Sequence, residues 1–353
     1  MKPGISIIIC TYDGSKRLTP VLEHLAQQEV PQKLPWEIVL VDNASTDHTT
    51  EIATAQWEAL GAPVLLRTCY EATPGKSYAQ QTGIKAANYD FLLICDDDNW
   101  LAPNYLAVTW ELMNDHPEIG ILGGKSEPVF EVVSEDIPKW FSEFQTFYAV
   151  GKQSKENGDI THKGGSIYGA GMVIRKPYYE YICQQGFEYL LSCRKGSSLL
   201  SGGDIELCKA FQLAGFKIWY DDRLKFKHFM TKGRLSWTYL MKLIFAMGQS
   251  RAMHHVYDFS LGKQPTTKKP IWMWRSIQHI PWLFQRIPYL LNAHHQDRNK
   301  VVKARIGLGF VYQLMSMRGE FDQNVDRVNT LYERFQNHPF SYADVQPANV
   351  TNP

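Results

Sequence analysis

The 353-residue sequence is poor in cysteine: Cys10, Cys69, Cys95, Cys183, Cys193 and Cys208 are scattered, and none forms a Cys-x-x-Cys pair. Thiols spaced this way behave as small buried hydrophobes in a reducing compartment, so neither a disulfide framework nor a cysteine metal site is expected. No run of ~18 uninterrupted apolar residues is present, so no membrane-spanning helix is expected. Met-Lys-Pro-Gly leads straight into the strand-like run Ile5–Cys10, which is too short for a secretory core. These features predict a cytoplasmic protein. Internal repeats and low-complexity tracts are missing, and 44% hydrophobic with 21% charged residues excludes wholesale disorder.

A net charge of either sign is also missing, at +1 overall. This is a cancellation. Residues 1–230 carry 21 Lys and Arg against 29 Asp and Glu, whereas residues 231–353 carry 16 against 7. Within 231–319 the only acids are Asp258 and Asp297, against 14 basic residues. An acidic body joined to a basic, aromatic-rich C-terminal part is a signal of partners rather than of fold.

Short apolar runs alternate with amphipathic stretches over the first 125 residues. Ile5–Cys10, Glu37–Val41, Val64–Arg67, Phe91–Cys95 and Ile119–Leu122 read as strands. Leu18, Val21, Leu22 and Leu25 have helical spacing, and helices are expected near 49–60, 77–87 and 103–114. This order builds an α/β, doubly wound, mostly parallel Rossmann-like sheet. Residues 125–165 read as an irregular excursion, 166–175 and 216–220 as strands, 204–214 as a helix. Helices are expected at 237–247, 271–291 and 325–335. The corresponding division is a body at 1–235, a basic helical region at 236–336, and a loose tail at 337–353.

In parallel α/β sheets, ligands bind at the carboxyl ends of strands. Three such ends here carry Thr11-Tyr12-Asp13, then Asp42-Asn43-Ala44-Ser45-Thr46-Asp47, then Asp96-Asp97-Asp98-Asn99. Three consecutive carboxylates repel one another unless a cation joins them, and a hard divalent ion held with substrate phosphate resolves the repulsion.

Together with Ser6–Tyr12 and Gly75-Lys76-Ser77-Tyr78-Ala79, these motifs resemble, in order and spacing, the family 2 glycosyltransferases of GT-A fold. The resemblance covers about the first 230 residues and implies inverting transfer of a sugar from a nucleotide sugar, usually UDP-linked, with Mn²⁺ or Mg²⁺. It implies nucleotide contacts for Thr11, Tyr12, Asp42, Asp96 and Asp97, and metal binding for Asp98. Asn99 stands where many members have a further Asp. Lys76 is either a diphosphate contact or a solvated lysine at a helix start. His228 is either near the metal or a plain strand histidine. The Gly169-Ala170-Gly171-Met172 segment faces the sugar pocket in relatives, though tightly packed backbone would also explain it.

Inversion needs a base to take the acceptor's hydroxyl proton. Ser201-Gly202-Gly203-Asp204-Ile205-Glu206 resembles the family's Gly-Glu-Asp element, with Gly203 replacing the first acid. Asp204 is then the base, with Glu206 as the fallback, although Asp204 also suits a helix N-cap.

Residues 271–291 are apolar and aromatic but are broken by Arg275, Arg286 and two prolines. This favours a segment lying at a membrane surface, on the inner face, with an oligomer contact or packed hairpin as alternatives. A membrane-docked protein would take a glycan or lipid-linked acceptor, as in cell-surface polysaccharide synthesis. No nucleic-acid motif accompanies the basic charge. Competing readings are a nucleotidyltransferase, whose Gly-rich phosphate loop is missing after the first strand, and a non-catalytic glycan- or nucleotide-binding module.

Overall fold

Strand β1 (Ile5–Thr11) is buried along almost its whole length, as a β-branched strand covered by helices on both faces must be. The computed structural model describes residues 2–191, 199–262, 270–292 and 296–341. After β1 come α1 (Leu18–Ala26), β2 (Trp36–Asp42), α2 (Thr49–Ala59), β3 (Leu66–Tyr70), α3 (Lys76–Ala86) and β4 (Phe91–Asp96). The short β5 (Asn99–Leu101), α4 (Tyr105–Asp115) and the long β6 (Ile119–Phe130) follow. Next are α5 (Phe141–Phe144), β7 (Gly158–Asp159), β8 (Val173–Arg175), α6 (Lys176–Gln184), α7 (Gly203–Leu213) and β9 (Lys217–Met230). The C-terminal helices are α8 (Trp237–Ser260), α9 (Ile271–Phe284), α10 (Ile287–Leu291), α11 (Arg298–Met317) and α12 (Gly319–Asn337).

The sheet order is β3-β2-β1-β4-β8-β6-β9-β5, with β7 on β9. Pairs β3–β2, β2–β1, β1–β4 and β6–β9 are parallel, while β8, β5 and β7 run antiparallel to their neighbours. This is the α/β, mostly parallel, Rossmann-like sheet that the sequence predicts. Leu18, Val21, Leu22 and Leu25 all face the core, as their spacing predicts.

The structure departs from the sequence expectation where glycine acts. The chain does not loosen after Gly124. A Cβ there would meet Leu224 O at 1.9 Å, and the β6–β9 register shifts between Gly123 and Lys125. Glycine thus permits a bulge, beyond which β6 continues to Phe130 beside β9. The strand expected over 166–175 shrinks to β8, because Gly171 takes a left-handed φ of +70° and turns the chain. The segment 271–291 forms two helices rather than one.

One hydrophobic cluster runs from Ile8, Val39 and Ile94 in the sheet through Leu207 and Phe211 to Phe310, Phe321 and Phe335 in the last helices. The C-terminal helices therefore extend the core of the sheet. Phe340, in the segment expected to be loose, stacks edge-on against Tyr178 and Phe216. Residues 342–353 lie outside the described residues, as does Cys193. By contrast, Trp274, Ile277, Ile280, Phe284, Ile287 and Leu291 form an exposed apolar stripe along α9 and α10, with Leu291 82% exposed.

A buried polar cluster fastens the N-terminal strands. The Glu37 carboxylate accepts from Ser6 Oγ at 2.7 Å, Arg67 Nη2 at 2.8 Å, and Asn88 N at 2.7 Å. Burial opposes its ionisation, but these donors outweigh burial and hold the carboxyl below its ordinary value. A depressed carboxyl contributes stability that is present above the unfolded value and lost as pH falls through the folded one. Glu37→Ala should cost about 2–3 kcal/mol at pH 7, and this deficit should narrow as the pH is lowered below 4. Denaturant unfolding at the two pH values measures both.

Candidate active site

Register builds the site. In the parallel ladder Thr11 pairs with Asp42 and Cys10 with Asp96, so three acidic or polar strand ends finish level. The loops after β1 and β2 then lock together. Asp13 N–H donates to Ser45 Oγ at 3.0 Å, Thr46 N–H donates to Asp13 Oδ1 at 2.7 Å, and Gly14 N–H donates to Thr49 Oγ1 at 2.9 Å. Asp13 and Ala44 both adopt left-handed φ, +47° and +60°, a strain that these bonds hold in place.

A cavity of about 1070 Å³ opens over these ends. It is lined by Thr11, Tyr12, Lys76, Asp96, Asp97, Asp98, Asp204 and His228, among others. Asp42 is absent from its lining; its carboxylate accepts from Ser45 N at 2.9 Å and Thr50 Oγ1 at 3.2 Å, within its own turn. Its neighbour Asn43 does line the cavity and accepts Gly75 N–H at 2.8 Å, fixing the start of α3.

Each acid of the triplet meets a cation from a different segment. Lys76 Nζ lies 2.5 Å from Asp96 Oδ1. Arg17 Nη2 lies 2.8 Å from Asp97 Oδ2, which also accepts from Thr11 Oγ1 at 2.7 Å. Burial nonetheless raises the Asp97 carboxyl above its ordinary value, against the pull of Arg17. Arg234 Nη2 lies 3.1 Å and His228 Nε2 3.5 Å from Asp98 Oδ2. Burial opposes ionisation of Asp98 too, yet His228, Arg234 and Lys76 prevail and hold it low. Asn99 is buried and bonds both Asp96 N–H and Asp98 Oδ1, so it clamps the turn and does not line the cavity. His228 reaches Asp98 because it pairs with Asn99 across β5 and β9.

Asp204 sits in the first turn of α7. Its Oδ2 accepts Gly169 N–H at 2.8 Å and its Oδ1 accepts Ile205 N–H at 2.9 Å. Among the described residues it has no ion pair. A carboxylate held by two amides at a helix N-terminus keeps free lone pairs toward the cavity. Gly169 thus orients Asp204 in addition to giving close approach.

Glu206 does not line the cavity. It is 1% exposed and accepts from Leu190 N at 2.7 Å, Leu191 N at 3.2 Å and Tyr257 Oη at 2.9 Å. These bonds tie the 187–191 segment to α7 and α8, so Glu206 is unsuited to be the fallback base. Burial pushes its carboxyl up to about 7 despite its donors.

Several wall residues escaped the sequence reading. Arg17 and Arg234 are not singled out by the sequence, since nothing in their spacing marks their partners. Tyr239, Leu243, Met247, Ser250, Arg251 and His254 of α8 also line the cavity; the helix expected over 237–247 runs on to Ser260, and its spacing does not show which side it turns to the cavity.

Residues 6–182 match the family described as Glycosyl transferase family 2. The chain belongs to that family. The family 2 chain is 31% identical over 111 residues to the poly(ribitol-phosphate) beta-N-acetylglucosaminyltransferase TarS of Staphylococcus aureus, a match spanning 31% of this chain and 19% of TarS. It is 19% identical to the glucosyl-dolichyl phosphate glucuronosyltransferase of Haloferax volcanii over 88% of this chain and 96% of that one. The solved structure of S. aureus TarS 1-349 is similar over 99% of this chain and 93% of that one, at 16% identity and a TM-score of 0.48.

The raised Glu206 value has a sign that can be checked. Stability falls as pH rises from the ordinary carboxyl value toward 7, because over that range the unfolded state releases a proton that the folded state still holds. Gln keeps one carbonyl oxygen for Leu190 N–H and Tyr257 Oη, loses the acceptor for Leu191 N–H, and carries no ionisation cost. Glu206→Gln should therefore be no more stable than wild type near pH 5 and more stable at pH 8, by on the order of 2 kcal/mol. Thermal unfolding at the two pH values reads this directly.

Proposed function

We propose that this family 2 chain is an inverting glycosyltransferase that moves a hexose or N-acetylhexosamine from a UDP-linked donor to a hydroxyl of a glycan or lipid-linked acceptor. The observation that carries this reading is the placement of Asp204. A carboxylate with no cation beside it, among the described residues, faces the same cavity as a triplet whose three members are each met by a cation. One end of the cavity suits a diphosphate, and the other suits proton removal.

Asp204 takes the acceptor's proton as the hydroxyl attacks the anomeric carbon from the side opposite the diphosphate. Thr11, Tyr12 and Asp97 form the nucleoside wall, and Lys76 offers charge to the departing diphosphate. The residues fit a divalent cation, Mn²⁺ or Mg²⁺. Asp98 and His228 Nε2 converge, and phosphate oxygens complete such a shell. Among the described residues no third carboxylate, imidazole or thiolate joins this pair. When bound, the ion supplies Lewis-acid neutralisation of the leaving group. Arg234 Nη2 lies at the same Asp98 oxygen, at 3.1 Å.

The names of the TarS and H. volcanii relatives support transfer to phosphate-bearing polymers or lipids. Among the described residues, no helix is long and apolar enough to cross a membrane. The exposed α9–α10 stripe, in a stretch with 14 basic residues and two acids over 231–319, suits an anionic lipid surface, with the enzyme docked on the inner face.

Asp204→Asn should lower kcat by about 10²–10⁴-fold while UDP affinity stays unchanged; near-normal turnover would remove Asp204 from the role. Chelation with EDTA should stop transfer, and Mn²⁺ should restore it. Flotation with vesicles containing phosphatidylglycerol should carry the protein upward at low salt and lose it with Phe284→Ser and Leu291→Ser. A concentration-dependent dimer with no flotation would make the stripe an interface between copies.

A further inference from the structure

The α8 wall presents a cation that the transfer scheme leaves unused. Tyr239, Leu243, Met247, Ser250, Arg251 and His254 recur at helical spacing and share one cavity-facing side. This side is pinned to the loop that leads into Asp204. His254 Nε2 lies 2.8 Å from Gly202 O, and Ser250 Oγ donates to Ser201 O. Gly202 has a φ of +124°, and a Cβ there would meet His254 Cε1 at 2.7 Å. The close approach of α8 to the loop therefore depends on glycine.

His254 supplies no charge. Burial drives its imidazole down to about 4, so Nε2 carries the single proton and donates it to the Gly202 carbonyl. Arg251 is therefore the cation that α8 offers to the cavity. The other cavity cations are engaged: Arg17 by Asp97, Lys76 by Asp96, and Arg234 by Asp98. The nearby Asp258 is engaged as well, by Lys209 and His255. Arg251 is exposed and, among the described residues, has no ion pair or hydrogen bond. The same cavity is lined by the apolar Leu243 and Met247 on the preceding turns of α8 and by Ile306 of α11.

We propose that Arg251 binds a phosphate ester carried by the acceptor, with the acceptor's less polar chain lying along Leu243, Met247 and Ile306. This rests on the reading of Asp204 as the base. Ser250, adjacent to Arg251, bonds the carbonyl three residues before Asp204, which puts the acceptor's anchoring charge and its reacting hydroxyl at one end of the cavity. The donor's diphosphate belongs at the other end, beside Lys76 and Asp98. A guanidinium matches phosphate by paired N–H donors, and loss of a charge-assisted pair of this kind weakens binding by about tenfold or more.

The test is isothermal titration of the full chain, saturated with UDP and Mn²⁺, with farnesyl phosphate, glycerol 3-phosphate, farnesol and glucuronate. A Phe284→Ser, Leu291→Ser background removes partition onto the exposed stripe. Farnesyl phosphate should bind, weaken about tenfold or more in Arg251→Ala, and recover partly in Arg251→Lys, with UDP affinity unchanged throughout. Equal Arg251-dependent binding of glycerol 3-phosphate would support the phosphate site and assign it to a polyol chain. Binding of farnesol as tight as that of farnesyl phosphate, Arg251-dependent binding of glucuronate in place of the phosphates, or affinity indifferent to Arg251 would each overturn the proposal. Failure of the wild type to bind UDP would instead overturn the transferase reading.

Discussion

Mutual repulsion among Asp96, Asp97 and Asp98 is the constraint around which the molecule is arranged. Three adjacent carboxylates at a strand end cannot all remain ionised unless positive charge approaches them. The fold brings that charge from three distant places: Lys76 at the start of α3, Arg17 before α1, and Arg234 after β9. Each pairing ties a separate stretch of chain to the end of β4. The site's electrostatics and its architecture are thus one problem with one solution.

The backbone around the triplet is fixed in the same economical way. Side chains of Asp13, Ser45, Thr46 and Thr49 cross-link the first two strand-end loops, and Asn99 clamps the triplet turn from below. Two left-handed non-glycine residues persist there because the bonds around them leave no cheaper alternative. Asp204 is held by amide donors, and among the described residues no cation pairs with it.

The basic C-terminal charge finds two outlets. Arg234 and Arg251 face the cavity. Others lie on aromatic faces, with Arg286 at 3.8 Å from the Trp282 ring, Arg305 at 5.3 Å from Phe245, and Lys300 at 5.6 Å from Tyr289. Such contacts keep cations stable in an aromatic-rich region with few acids, where Lys300 also pairs with Asp297 at 3.1 Å. The same helices bury Phe310, Phe321 and Phe335 against the sheet side of the core and leave the α9–α10 stripe uncovered.

The sequence by itself determined β1, β2 and β4, the first helix and the acidic strand ends, because continuous apolar runs and helical spacing are local patterns that burial enforces directly. It also carried the family motifs, and most of the residues they nominate do meet in one cavity. It misplaced β3, whose Leu-Arg-Thr-Cys-Tyr sequence is half-exposed at the sheet edge, and it stopped β6 at a glycine that proved to be a bulge. Asp42 and Glu206 looked equivalent to their neighbours as residues, but tertiary structure turned the first into its own turn and sealed the second beneath the site. It also decided that α8 is a wall of the cavity and which cation answers which carboxylate. Apart from the bonds of Asp42 within its own turn, those outcomes depend on contacts between residues about 15 to more than 100 positions apart, and no local spacing encodes the direction a side chain faces once the layers close.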